Sequence, residues 1–358
     1  MHLNDHETFP SIDTQNMLSE IDGLPDQLVS AWEMGQQFPL PPWKGITRVV
    51  IAGMGGSAIG GSLIKAYAAP LGDVPITVHR DYGLPSWVKG KETLLIVSSH
   101  SGNTEETLSA FEAGLGNGCR MIGITTGGRL AEKAVEGGED VTLWRFDHPG
   151  QPRAAVGYSF ALLLAALFRL GLIPDPTPEV EDAAAALREQ QKELLSEVPI
   201  AKNPAKRLAG QLVDRWVCVL GAGLMEPVAR RWKGQLNELA KTWAQFEALP
   251  EADHNTLASI FNPENLLLKT AALFLRGDAA HARNQLRGEL TKKYFMLEGL
   301  NTDFVDASGK TRLAQQWTVL HLGDYVAYYL AMLYEEDPTP VAAIEHLKEE
   351  LKSGSFGT

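Results

Sequence analysis

Two short segments of the chain combine glycines and hydroxyl side chains in a way that suits the binding of an anion. Residues 53–57 read Gly-Met-Gly-Gly-Ser, and residues 99–104 read Ser-His-Ser-Gly-Asn-Thr. Each segment follows a run of β-forming residues and precedes a helix-compatible stretch, so its N–H groups and hydroxyls are expected at a strand end, over a helix N-terminus. Phosphate oxygens only accept hydrogen bonds, and both segments offer mainly donors. The two loops therefore predict one phosphate site between adjacent strands.

The candidate phosphate-binding residues are the glycines and hydroxyl residues of these loops: Gly55, Gly56, Ser57, Ser99, Ser101 and Thr104. For the first loop a purely structural strand-to-helix turn remains an alternative, because a lone glycine run is a weak signal. A dinucleotide site is another, but it favours an acidic residue about 20 positions further on. The nearest one, Asp81, comes later than that and follows Arg80. The second loop is harder to explain as a turn, since a turn needs only its Gly and Asn.

The two loops resemble the sugar isomerase (SIS) domain, a doubly wound α/β module that binds phosphosugars. Further motifs, in the family's order, resemble the bifunctional phosphoglucose/phosphomannose isomerases of bacteria and archaea. These motifs are Pro-Arg at 152–153, Trp-Lys-Gly-Gln-Leu-Asn-Glu-Leu-Ala-Lys at 232–241, Asp-His-Asn at 253–255, Leu-Gly-Asp-Tyr at 322–325, Asp-Pro-Thr-Pro-Val at 337–341 and Ile-Glu-His-Leu-Lys at 344–348. The resemblance extends from about residue 43 to residue 348.

The resemblance assigns the catalytic base to Glu238. From the residues alone, a helix over 232–244 places its apolar residues on one stripe and leaves Glu238 beside Lys241 and Thr242. Spacing by itself therefore favours a solvated Glu238–Lys241 pair. The resemblance implies instead that Glu238 takes a proton from one sugar carbon and returns it to the next. A carboxylate suits that task when partial burial raises its pKa.

The resemblance also implies three further catalytic residues. Arg153 matches the residue that stabilises the enediolate, for which a guanidinium supplies fixed donors; its alternative role is that of an ordinary loop arginine. His254 would open the sugar ring, assisted by Lys348, because imidazole titrates in the useful range. The alternatives are a loop histidine that caps its neighbours and a solvated lysine on a charged helix. In relatives this histidine reaches the neighbouring subunit's site, which implies a homodimer.

Composition limits the class of protein without identifying it. The chain has 358 residues, with 44 acidic against 32 basic residues and a net charge of −12. The length predicts two domains, and the charge argues against nucleic acid or an anionic membrane as partner. Two cysteines, Cys119 and Cys218, offer no disulfide framework or metal cluster and suit a reducing cytoplasmic compartment. The N-terminus shows no secretion signal, and the apolar run 160–168 is better explained as a buried helix than as a membrane span.

Alternating strand and helix patterns occur twice along the chain. Predicted strands of the first set are 48–52, 76–79, 94–98, 121–125 and 141–144. The second set comprises 216–220, 266–275 and 303–305, followed by an amphipathic pattern over 313–334. The fold class is therefore α/β, with two tandem doubly wound parallel-sheet modules of the flavodoxin-like SIS type. The expected boundaries are an N-terminal helical arm (1–42), a first module (43–173), a solvent-facing linker helix (174–204) and a second module with C-terminal helices (205–358).

Together these features predict an aldose–ketose isomerase that interconverts glucose 6-phosphate, and mannose 6-phosphate, with fructose 6-phosphate. The reaction proceeds by proton transfer and needs neither metal nor cofactor. Two rivals stay open: a sugar-phosphate sensor without turnover, and an isomerase of amino sugars. His100, within the second loop, is expected to shape that loop and, as a hypothesis, to make the site sensitive to pH.

Overall fold

A computed structural model describes residues 2–354 of the chain, with the side chain of Lys352 left out. Its strands form two parallel sheets, one after the other in the sequence. The first sheet contains β1 (Arg48–Ala52), β2 (Ile76–His79), β3 (Thr93–Ser98), β4 (Arg120–Thr125) and β5 (Val141–Arg145), in the order β2-β1-β3-β4-β5. The second contains β6 (Trp216–Ala222), β7 (Ala244–Leu249), β8 (Thr270–Arg276) and β9 (Asn301–Asp306), in the order β7-β6-β8-β9. The prediction of two parallel-sheet α/β modules is confirmed.

Helices connect the strands and cover the sheets. They are α1 (Met17–Asp22), α2 (Leu24–Gln37), α3 (Gly55–Ala68), α4 (Glu105–Gly116), α5 (Gly128–Glu136), α6 (Val156–Arg169), α7 (Thr177–Leu194), α8 (Pro204–Leu212), α9 (Glu226–Glu238), α10 (Glu264–Leu267), α11 (Ala282–Leu297), α12 (Arg312–Tyr334) and α13 (Ala342–Ser353). Short 3-10 helices lie at His6–Ser11, Gly223–Met225, Glu251–His254 and Thr256–Ser259.

One large apolar core joins the two modules. It takes side chains from β1 and β6 and from the helices between the sheets, with Trp232 of α9 and Trp317 of α12 among its largest buried members. The apolar run 160–168 forms α6, of which residues 159–167 are all buried, as predicted for a core helix. Helix α2 packs along α6, so the predicted N-terminal helices lie against the first module. The sheets are thus held in a fixed relation by shared packing.

Helix α7 differs from the solvent-facing helix that its charged and alanine-rich sequence predicted. Its residues Val180, Ala183, Ala184 and Leu187 are buried, and the helix packs against α12 and α2. The alanines give α7 a narrow apolar face that allows close approach, while its charges occupy the opposite face.

The prediction of a helix over 232–244 was wrong beyond its first half. Helix α9 ends at Glu238, and Ala244 begins the strand β7, which pairs in parallel with β6. Two residues past the Leu239 cap, Lys241 adopts a left-handed backbone conformation with φ of +54°, so the helix does not resume before β7. The stretch 266–275 likewise begins as α10, and its strand starts only at Thr270. Apolar periodicity predicted burial correctly but not the change from helix to strand.

None of the described helices is long and apolar enough to cross a membrane. Cys119 and Cys218 are free and buried, and burial raises their thiol pKa values to about 11 and about 12. Both thiols are therefore protonated at neutral pH and act as small apolar core groups.

Candidate active site

A cavity of about 210 Å³ lies where the first turn of α3 meets α9. Gly55 and Gly56 line it from the first module, and Glu238 lines it from the second. Arg153, in the segment just before α6, lies in the same cavity. The packing of α3 against α9 explains why residues nearly two hundred positions apart share one site.

The two predicted phosphate loops lie side by side. Strands β1 and β3 are adjacent and parallel, so both loops leave the same edge of the sheet. A Cβ at Gly53 would lie 2.8 Å from the carbonyl oxygen of Ser98, the last residue of β3, which shows how closely the first loop approaches the start of the second. The Ser99 and Thr104 hydroxyls are 3.1 Å apart. The arrangement brings hydroxyls and helix N-termini together at one edge.

Glycine at position 102 makes the turn of the second loop possible. It has φ of +67°, and a Cβ there would collide with the Gly127 carbonyl oxygen. Its N–H donates to the Ser99 side chain at 3.1 Å. Ser99 is buried and bonded within the loop, whereas Ser101 is exposed and its hydroxyl oxygen accepts from the Asn103 backbone N–H, at 3.3 Å. Ser101 therefore presents its O–H to solvent at the loop surface.

Glu238 and Arg153 form the charged pair of the site. The Arg153 Nη1 and the Glu238 Oε2 are 3.5 Å apart, and the Arg153 side chain is 5% exposed against 33% for Glu238. Sequence spacing alone had favoured Lys241 as the partner of Glu238. The Lys241 ammonium instead donates to the Glu238 backbone carbonyl at 2.7 Å, which satisfies the end of helix α9. The Glu238 carboxylate is thus free of Lys241 and faces the cavity.

Arg153 is held from several directions. Its Nη2 donates to the Pro338 carbonyl at 3.1 Å and to the Thr339 carbonyl, both in the segment between α12 and α13. Burial lowers the pKa of the Arg153 guanidinium, and the Glu238 charge opposes that shift. The main chain next to Arg153 is also confined. A Cβ at position 56 would lie 2.5 Å from the Pro152 carbonyl oxygen. Gly56 therefore permits contact between the first loop and the arginine segment.

A buried ion pair supports the main chain of Arg153. Arg231 of α9 binds the Asp324 carboxylate of α12 with distances of 3.2 and 2.8 Å, and both side chains are 4% exposed. Its third contact is from Nη1 to the Arg153 carbonyl oxygen, at 2.7 Å. The bidentate geometry fixes the guanidinium, so α9, α12 and the arginine segment are joined at one point.

Two of the predicted catalytic residues do not line this cavity. His254 is exposed in the 3-10 helix Glu251–His254, which follows β7. Lys348 is exposed on α13. Helix α13 begins three residues after Thr339, whose carbonyl oxygen accepts from Arg153. Lys348 stands one helical turn beyond Glu345, on the same side of α13.

His100 belongs to a hydrogen-bonded chain of three side chains. Its Nε2 is 3.0 Å from the His148 Nδ1, and the His148 Nε2 is 3.0 Å from the Glu20 Oε2. Burial, and then the His148 charge, lower the pKa of His100 to about 4. The histidine therefore stays neutral from pH 5 to 8, which supports the expectation that it shapes the loop and counts against its role as a pH sensor.

Sequence reasoning missed several charged residues of this region. Asp324 occurs in one of the motifs above but received no role, and Arg231 was not singled out. Arg80, Arg230 and Lys233 also line the cavity. Of these three, only Arg80 was mentioned in the sequence analysis, as the residue before Asp81, and it received no role. In the described part of the chain, no group of three or more His, Cys, Asp or Glu side chains is placed to hold a metal ion.

Comparison with known proteins identifies related chains. A family model described as the bacterial phospho-glucose isomerase C-terminal SIS domain matches residues 201–351. A bifunctional phosphoglucose/phosphomannose isomerase of Caldicellulosiruptor bescii is 40% identical, over 94% of this chain and 98% of its own length. One from Aquifex aeolicus is 37% identical, over 87% of this chain and 92% of its own.

A solved structure shares the fold. It is a glucose-6-phosphate isomerase like protein from Thermus thermophilus, with a TM-score of 0.63 and 19% sequence identity, covering 96% of this chain and 99% of that chain. At this identity the likeness concerns the architecture of two parallel-sheet modules, which the chain reproduces from end to end.

Proposed function

Because the chain belongs to the bifunctional phosphoglucose/phosphomannose isomerase family, we propose that it interconverts glucose 6-phosphate and mannose 6-phosphate with fructose 6-phosphate. It is an enzyme, an aldose–ketose isomerase that works by proton transfer between C1 and C2. One enediolate serves both aldoses, since glucose and mannose differ only at C2. The observation that carries the proposal is the pairing of Glu238 with Arg153 beside Gly55 and Gly56, in one cavity between the modules.

In this proposal Glu238 is the base. Its side chain is one-third exposed and faces the cavity, so substrate can reach the carboxylate. It takes the proton from C2 of the aldose and returns it to C1 of the ketose, and the reverse reaction uses the same steps. Arg153 lies 3.5 Å from that carboxylate and donates to the enediolate oxygens as negative charge develops on them. Its anchors on Pro338 and Thr339 keep the guanidinium in place.

The substrate phosphate binds at the two loops. We assign it to Gly55, Gly56 and Ser57 in the first loop and to Ser99, Ser101 and Thr104 in the second. Support comes from the close approach of the loops and from the helix N-termini of α3 and α4 that they precede. A phosphate there would place the sugar carbons toward Arg153 and Glu238.

His254 opens the sugar ring in the neighbouring subunit of a homodimer, assisted by Lys348. The exposed position of His254 outside its own cavity supports this assignment. Next to it, Asp253 binds Arg287 and Thr291 of α11, each at 2.7 Å, so the histidine segment is anchored on that helix. The outer face of α11 is apolar and exposed, with Leu286, Leu290, Tyr294 and Leu297 between 40% and 68% accessible. A second copy of the chain would cover this face and meet His254.

The proposed compartment is the cytoplasm. Two buried, unpaired cysteines suit a reducing environment, and the substrates are intracellular phosphosugars.

The test is to incubate the purified protein with fructose 6-phosphate and a chelator in deuterated water and to follow the products by NMR. Glucose 6-phosphate and mannose 6-phosphate labelled at C2 are the expected products. Label in glucose 6-phosphate alone would overturn the dual specificity. Tight binding of fructose 6-phosphate with no product would overturn catalysis and favour a sensor.

A further inference from the structure

The cavity contains more positive charge than the proposed reaction uses. Arg153 pairs with Glu238, and Arg231 pairs with Asp324. Arg80, Arg230 and Lys233 line the same cavity, and none of the three forms an ion pair with a carboxylate in residues 2–354. Arg80 is exposed, whereas Arg230 and Lys233 are partly buried. All three line one cavity, and such a convergence of like charges needs an explanation.

The three cations come from two elements, since Arg80 follows β2 and the other two lie on α9, and two of the three side chains are held by contacts. Arg80 follows β2 in the chain. Its guanidinium donates to the Ala58 carbonyl at 3.1 Å and to the Ser62 hydroxyl. The Arg230 guanidinium stacks on the ring of Phe246, at 4.2 Å from its centroid. Lys233 follows on the same helix, half-buried. Stacking leaves the N–H donors of Arg230 directed away from the ring, where an anion can accept them.

Arg230 is close enough to Arg80 for its positive charge to disfavour the charged form of Arg80. Burial lowers the pKa of Arg80, and the positive charge of Arg230 lowers it further. The repulsion is unusual in a chain with 44 acidic and 32 basic residues, where a carboxylate partner would be easy to supply. A bound anion would relieve it.

We propose that Arg80, Arg230 and Lys233 form a second anion subsite in the cavity, which binds a sugar carrying a phosphate at each end as a competitive ligand. The proposal rests on the proposed function, because the first phosphate occupies the loops at Gly55 and Ser101. Two guanidiniums and one ammonium suit a phosphate dianion, since guanidiniums bind its oxygens in pairs and lysine adds a point charge. A monophosphate substrate leaves this subsite without its anion.

The probe is fructose 1,6-bisphosphate, compared with fructose 6-phosphate by isothermal titration calorimetry and as an inhibitor of isomerisation. We expect competitive inhibition and a Kd at least tenfold lower than that of fructose 6-phosphate, because each charge-assisted contact contributes about a factor of ten. The triple variant Arg80→Gln, Arg230→Gln, Lys233→Gln should remove this advantage. In the triple variant, the Kd for fructose 1,6-bisphosphate should rise more than tenfold. The Kd for fructose 6-phosphate should rise by a factor several times smaller than that.

A matched control is Lys202→Gln, an exposed lysine outside the cavity, which should change neither constant. If the triple variant folds poorly, the single variant Lys233→Gln tests the same subsite. The quantity to compare is the ratio of its Kd for fructose 1,6-bisphosphate to its Kd for fructose 6-phosphate. A bisphosphate that binds no more tightly than fructose 6-phosphate would overturn the proposal. Equal weakening of both ligands in the variants would do so too, because the cations would then serve the substrate's own phosphate. Calorimetry needs no turnover, so tight bisphosphate binding without isomerisation would leave the subsite standing and reject only the catalytic proposal.

Discussion

At the scale of single residues, the proposed site depends on the Glu238 carboxylate. Its ion-pair partner in the structure is Arg153, not the Lys241 that the sequence spacing favours. Glu238 has a lysine three positions on, yet Lys241 contacts only main-chain carbonyls. Desolvation and the charge of Arg153 lower the pKa of that lysine. The carboxylate forms its ion pair with Arg153, whose guanidinium is fixed by two carbonyl oxygens. The proposed base and the proposed electrostatic stabiliser therefore lie 3.5 Å apart.

Replacing Glu238 by Gln keeps the shape of the side chain and removes the base. We expect Glu238→Gln to bind fructose 6-phosphate with a Kd within about threefold of the wild type, while kcat falls by about a thousandfold or more. Calorimetry and a coupled assay measure the two quantities. Glu226→Gln, at the other end of α9, is the control and should keep normal turnover. Normal turnover in Glu238→Gln would contradict the assignment.

His100 makes stability depend on pH. Its folded pKa is about 4, below the ordinary value of 6.5, because its imidazole is buried next to His148. As the pH falls below about 6.5, His100 of the unfolded chain therefore binds a proton, whereas His100 of the folded chain stays neutral until about pH 4. The contribution of His100 is fully present above pH 6.5 and is lost as the pH falls toward 4.

We expect His100→Gln to lose less stability than the wild type between pH 7 and pH 5, by on the order of 1 kcal/mol. Urea unfolding at both pH values measures it. Parallel losses in the two proteins would show that the histidine does not resist protonation. Since Glu20 is present in both proteins, its own titration largely cancels in the comparison.

At the scale of elements, helix α9 positions the site through its contact with α12. Trp232 of α9 donates from its Nε1 to the Val319 carbonyl at 2.9 Å, and a Cβ at Gly323 would collide with that nitrogen. The helices therefore meet at a glycine, one residue before the Asp324 that binds Arg231. The aromatic ring, the ion pair and Glu238 are successive features of one helix.

Adding a methyl group at this contact should separate the helices. We expect Gly323→Ala to lower the free energy of unfolding by about 1–3 kcal/mol, because Trp232 has no space to move in a packed core. Gly210→Ala on α8 is the control: nothing lies within 4 Å of its Cβ, and helix propensity predicts a gain of up to about 1 kcal/mol. Chemical denaturation compares the two, and equal stability of both variants would contradict the close packing.

At the scale of the whole molecule, the reaction is divided between modules and, in our proposal, between subunits. The proposed phosphate loops belong to the first sheet, and the proposed base Glu238 ends helix α9 of the second module, so in this proposal catalysis requires both modules. His254 faces outward beside the exposed stripe of α11. A monomer would have a base and a phosphate site but no group to open the ring.

Mixed dimers test this division. We expect Glu238→Gln and His254→Asn to be inactive separately on ring-closed substrate. Subunit exchange between them should restore about a quarter of wild-type activity, because half of the dimers are mixed and each has one intact site. Glu238→Gln mixed with Arg153→Lys is the control and should restore nothing, since both residues act within one chain. No recovery in the first mixture would place His254 in its own subunit's site or outside the site altogether.

Local sequence determined the strand-to-helix loops, the buried helix α6 and the two parallel-sheet modules, because glycine, hydroxyl and apolar patterns act over short distances. The resemblance to a family, not the spacing, singled out Glu238 and Arg153. Periodicity extended α9 into β7, since an apolar stripe does not report where a helix ends or that Lys241 takes a left-handed conformation. Only tertiary packing decided that Arg153 lies 3.5 Å from Glu238 and that Arg231 and Asp324 support it. It also decided that three cations with no carboxylate partner among residues 2–354 share its cavity. Those contacts join residues far apart in the chain, and their geometry depends on how α3, α9 and α12 pack.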